Sequence, residues 1–143
     1  MIRGTGHRLR LRRIEAKPKR VEVVGKELDV RIALTSAQRD DLRLLVRSAR
    51  EGRPLPDRFY RPSRDRRGDD LLVRLGYMHL HLDGPSDALV YLIQYTDHVL
   101  LVCVDDHANL RSRPPGARIS DHAVRHAEQR FVTPARDDGP ADD

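Results

Sequence analysis

Three apolar stretches between Leu71 and Val104 are joined by connections too short to carry the chain back across a sheet. Leu71–Leu82 ends in the turn DGPS, Asp87–Tyr95 ends in TDH at 96–98, and Val99–Val104 ends in DDH. A parallel return needs a crossover of a dozen or more residues, so these connections predict antiparallel neighbours. Apolar residues concentrate in the same window, which predicts that the core is built there. The chain has little else to build it from: of 143 residues, 34% are charged and 4% aromatic, with no Trp. That suits one domain with a modest core.

Upstream, the β-branched runs VEVV and LDVRIAL flank Gly25-Lys26, a spacing that predicts a hairpin over 20–34. Thr35 or Ser36 then offers an N-cap oxygen. Leu42, Leu45, Val46 and Ala49 recur at helical spacing, with Arg39, Asp40, Arg43, Arg47 and Arg50 largely opposite them. This apolar face reads as core rather than as a docking groove. Gly52 followed by Pro54 stops the helix. Residues 54–70 read as a loop from their prolines, glycine and charge density. Ser120 caps a last helix over 121–130, with Ala123, Val124 and Ala127 on one side.

The expected fold class is α+β: a small twisted, mainly antiparallel sheet packed on one main helix, with a short C-terminal helix. Residues 1–19 read as a basic N-terminal arm, with RLRLRR at 8–13 an edge strand or a flexible segment. Residues 20–113 form the domain, and 114–143 a short helix and an acidic tail with the composition of disorder.

A net charge of +5 favours an anionic partner such as nucleic acid. The single cysteine, Cys103, has no internal disulfide partner and lies in an apolar run, as a core residue would. The basic N-terminus lacks the apolar stretch of a secretory signal. No apolar run approaches the roughly 20 residues of a membrane span. A cytoplasmic protein without a membrane partner is the expectation.

Chemistry concentrates in GYMHLHLDGPSD, at 76–87. In an extended strand Tyr77, His79, His81 and Asp83 share one face, and Met78, Leu80 and Leu82 the other. The bland reading is a solvated sheet face that tolerates histidine. A metal reading rests on His79-Leu-His81-Leu-Asp83, which fits most of the H-x-H-x-D-H zinc motif. However, Gly84 stands where the closing histidine belongs, and the expected site has no metal and no cofactor. An acid–base reading joins His81, Asp87 and His107, at the ends of successive strands. Arg61, Arg64, Arg66, Arg67, Arg74, Arg111 and Arg113 are the candidate phosphate-holding groups. His7, His122 and His126 read as surface residues, and His98 as an exposed turn residue.

From about Asp41 to Leu110 the chain resembles the RelE/ParE superfamily of bacterial toxins, closest to the YafQ-type mRNA interferases. The resemblance is carried by a helix followed by RPLPDRFY, by Gly76-Tyr77, by His81 and Asp87, and by the hairpin ALVYLIQYTDHVLLVCVDDHANL closing on His107-Ala-Asn-Leu110. It implies a type II toxin that cleaves mRNA on the ribosome without metal, and that is held in check by a cognate antitoxin. His81, Asp87 and His107 would be its catalytic or substrate-positioning groups. The family's arginine four residues before the closing histidine falls on Cys103, and its aromatic four residues after falls on Arg111. Two alternatives stand beside it: a non-catalytic nucleic-acid or protein binding module of the same fold, and a small metal-dependent hydrolase using the histidine pair.

Overall fold

The computed structural model describes residues 7–60, 67–83, 88–108 and 116–131, with the backbone alone at 67–69. The acidic tail at 132–143 and the turn at 84–87 lie outside the described residues. The architecture is α+β, with a four-stranded mixed sheet.

The expected antiparallel run is present. β2 (Tyr77–His81), β3 (Leu89–Gln94) and β4 (His98–Asp105) pair in sequence, with Tyr77 opposite Ile93 and Gln94 opposite Val99. The first of these strands is shorter than its apolar stretch suggested. Leu71 to Leu75 are helical, within α2 (Arg67–Leu75). Leu71 and Leu72 are buried and Val73 is 68% exposed, which is a helical rather than a strand pattern. Gly76 ends α2 in the left-handed region (φ 79), and its N–H donates to the Leu72 carbonyl at 2.8 Å.

The hairpin expected over 20–34 does not form. β1 (Arg20–Val23) pairs parallel with β4, with Arg20 opposite His98 and Val23 opposite Leu101. The chain leaves the sheet after β1 and returns to the same edge at Val30, which bridges Val104 in parallel. Val104 N–H donates to the Asp29 carbonyl and Arg31 N–H to the Val104 carbonyl, at 2.8 and 2.9 Å. The two β-branched runs are therefore successive pieces of one edge strand. A tight two-residue hairpin turn needs positive φ, and Gly25 does not adopt it. The strand order is β1-β4-β3-β2.

α1 (Ser36–Glu51) starts at the expected cap: Thr35 accepts from Gln38 N–H while the Gln38 side chain accepts from Thr35 N–H. Gly52 closes it at φ 75, where a Cβ would stand 2.6 Å from Pro18. Leu45 and Ala49 are buried, but Leu42 and Val46 are only half-buried. α3 (Asp121–Glu128) is capped by the Ser120 hydroxyl, which accepts from Ala123 N–H at 3.2 Å. Val124 and Ala127 are buried on it, whereas Ala123 is exposed.

Strand alternation divides the core in two. Met78, Leu80, Val90, Leu92, Val99 and Leu101 pack with Leu45 of α1 on one face. Tyr77, Leu89, Tyr91, Ile93 and Leu100 pack with Ile119 and Val124 on the other. The sheet is thus covered on both faces, where one main helix was expected.

The described N-terminal segment lies against the molecule. Leu9 bridges Gln94, the Gln94 side chain bonds Arg13 and Glu15 backbone groups, and Lys19 Nζ reaches the Tyr95 carbonyl at 2.5 Å. Arg8 ion-pairs with Asp121 and Glu128 at 3.0 and 2.6 Å. The Tyr77 and Tyr95 hydroxyls donate to those same two carboxylates, and burial pushes both phenol pKa values upward. Burial opposes the Arg8 charge, but the hydrogen bonds it donates to Glu128 and Asp121 outweigh it and its pKa rises.

Candidate functional site

The register carries a row of polar side chains to one end of the α3-side face. His81 lies opposite Leu89, which lies opposite Asp105. One row back, His79, Tyr91 and Cys103 are aligned across the three strands. Simple alternation in β4 would send Cys103 and Asp105 to the α1 side, with Val99 and Leu101. A bulge between Tyr91 and Leu92 in the pairing leaves Val102 as an extra residue. The odd-numbered residues beyond it change face, and Cys103 joins the α3-side core.

Three imidazoles meet here. The His79 and His81 rings are 5.5 Å apart at 69°, and the His81 and His107 rings 5.7 Å apart at 45°. His81 is 6% exposed, while His79 and His107 are half-buried. The bland reading of a solvated sheet face fails for His81, which lies inside, with the more accessible His79 and His107 near it. His79, which had no role in the acid–base reading, belongs to the group.

The turn carrying His107 is held from several sides. Tyr91 hydroxyl donates to the Asp106 carbonyl at 2.7 Å, and Asp105 Oδ1 accepts from Asp106 N–H at 2.8 Å. Asp105 is buried, and its Oδ2 lies 3.4 Å from Arg31 Nη1. Arg31 also bonds Asp29 and the Arg118 carbonyl, and Arg118 lies 3.8 Å from Asp106. Arg31 and Arg118 are the cations that the described structure places beside this turn, and neither was among the expected phosphate ligands. No local signal marks Arg31, because its proximity depends on the parallel return at Val30.

Of the expected site residues, His81 and His107 are brought together. Asp87 lies outside the described residues, as do Arg61, Arg64, Arg66, Arg111 and Arg113, and the side chain of Arg67. Arg74 is on α2 rather than in a strand, exposed, with Asp70 at 3.7 Å. Cys103 is fully buried, and burial pushes its thiol up to about 11. His98 is not the exposed turn residue expected. It begins β4 fully buried, bonded to Asp97 at 2.8 Å and stacked on Tyr95 at 4.2 Å.

Asp83 does not continue the histidine face. Its φ of 41 breaks the alternation after β2, and its N–H donates to Asp41 Oδ2 at 2.6 Å. Arg58 holds both Asp41 oxygens, at 2.5 and 2.8 Å. These Arg58 bonds, with the Asp83 N–H, keep the Asp41 carboxyl below the usual range despite its burial. Among the described residues no three His, Cys, Asp or Glu side chains are arranged to hold a metal ion. No helix among them is long and apolar enough to cross a membrane.

Compared with protein families, curated proteins and solved structures, the chain finds no significant match.

Proposed function

We propose that this chain is a toxin-like endoribonuclease of RelE/ParE type, cleaving mRNA by metal-independent acid–base chemistry in the cytoplasm. The observation that carries the reading is the His79–His81–His107 group, with His107 on a turn whose neighbouring aspartates, Asp105 and Asp106, pair with Arg31 and Arg118. In cleavage by the RNA's own 2′-hydroxyl, one imidazole takes the 2′-proton as that oxygen attacks phosphorus. A second, protonated imidazole gives its proton to the departing 5′-oxygen. His79 and His107, the more accessible rings, exchange protons with substrate, and His81 between them positions both. A guanidinium steadies the charge that gathers on the phosphorane. Arg31 supplies, from another segment, the cation that the family resemblance would place at Cys103. The partners are then RNA on the ribosome and a cognate antitoxin.

A second reading, a non-catalytic binding module, draws on the burial of His81. Both are tested by inducing expression and by incubating protein purified through EDTA with translating ribosomes. Growth arrest and mRNA cleavage, both lost in His79→Ala, His107→Ala, support the nuclease. A double variant that stays toxic ends the mechanism. Harmless expression with tight RNA binding selects the module.

A further inference from the structure

On the opposite face of the sheet from the histidines, α1 does not close fully over β1. An open groove of about 840 Å³ runs between them, with Val21, Val23, Leu28, Leu42, Val46 and Leu101 among its lining. All but Leu101 are only half-buried. Two of them, Leu42 and Val46, belong to the helix face that the sequence pattern assigned to the core. An aliphatic floor left partly open to water is the kind of surface that partner segments cover.

Charge on the rim selects among occupants. Arg43 is paired with Asp40, Glu51 with Arg53, and Glu22 lies 3.9 Å from Arg20. Arg47 and Arg50 also line the groove, are exposed, and have no ion-pair partner among the described residues. A second copy docked face to face would bring four such guanidinium groups together, which opposes self-association. RNA would satisfy the arginines but not the floor, which has no aromatic ring for a base to stack on. A helical segment with aliphatic residues on one side and carboxylates along its flank satisfies both.

We infer that this groove is a docking site for an acidic, leucine-bearing amphipathic helix of a partner protein. The inference is independent of the ribonuclease reading, since it uses neither the histidines nor their face of the sheet.

The test uses the full chain and a fluorescent synthetic peptide with leucines at i, i+3, i+4 and i+7 and glutamates elsewhere. Its expected binding weakens with salt, shifts the methyl resonances of Leu28, Leu42 and Val46, and falls about tenfold or more in Arg47→Glu, Arg50→Glu. Both arginines are exposed, so that variant should melt as the wild type does. Equal binding of a lysine-for-glutamate peptide would overturn the inference, as would absence of methyl shifts at the groove. Three further outcomes overturn it by naming another occupant. These are peptide binding only after truncation at Phe131, a dimer dissociated by Val46→Asp, and displacement of the peptide by single-stranded RNA.

Discussion

His81 ends β2 and His107 stands in the turn after β4, yet their rings are 5.7 Å apart, with His79 5.5 Å from His81. For a nuclease built on this group, removing either accessible imidazole takes away one proton transfer. His79→Ala and His107→Ala should each lower single-turnover RNA cleavage about 10²–10⁴-fold. Each should also flatten one limb of the pH–rate profile. A profile whose two limbs survive both substitutions assigns the chemistry elsewhere.

Asp41 joins α1, Arg58 and the turn after β2, so its charge should contribute to stability. Asp41→Asn is expected to lower unfolding free energy by about 1–3 kcal/mol near neutral pH, from loss of charge-assisted hydrogen bonds. The folded-state pKa is depressed, so this contribution is complete above the unfolded value near 4. It is lost as pH falls through the lower folded value. Urea titrations of both proteins from pH 7 to pH 2 should therefore converge at the acid end.

Arg8 is the cation shared by Asp121 and Glu128, and its side chain is 7% exposed. Arg8→Met leaves both carboxylates without it. The expected loss is about 3 kcal/mol, the lower end for a broken buried pair because Asp121 keeps some solvent. Arg8→Lys should recover only part of this, since an ammonium cannot reproduce the fork on Glu128. Amide exchange should quicken in α3 ahead of the central strands. Uniform quickening across the sheet would contradict a local clamp.

Cys103 is enclosed, and burial pushes its thiol up to about 11. At pH 8 a disulfide reagent should modify it only as fast as the protein opens, and at once in denaturant. Stoichiometric labelling of the folded protein within mixing time would place the thiol at the surface instead.

Elements with short-range causes were legible in the chain. The Thr35–Gln38 box, Gly52 after α1, Ser120 before α3 and the short link from β3 to β4 each act over a few residues. Gly76 was a comparable signal for the end of α2, but the leucines before it were read with the strand that follows. Strand-end positions also singled out His81 and His107, and alternation set His79 on the face of His81, though neither foretold the burial of His81.

What tertiary structure decided were relationships between distant segments. The 20–34 segment carries no mark of its parallel place beside β4, because that pairing depends on which strand edge is open. The bulge at Val102 cannot be read from alternation, yet it turns Cys103 and Asp105 toward the histidines. Arg31 reaches Asp105 only because the chain returns at Val30. The sequence by itself determined where α1 starts and stops, where α3 starts and that β2, β3 and β4 neighbour one another in order, since hydrogen bonds and steric limits within a few residues govern these. The tertiary structure decided face, register and burial, since these depend on packing between residues far apart in the chain.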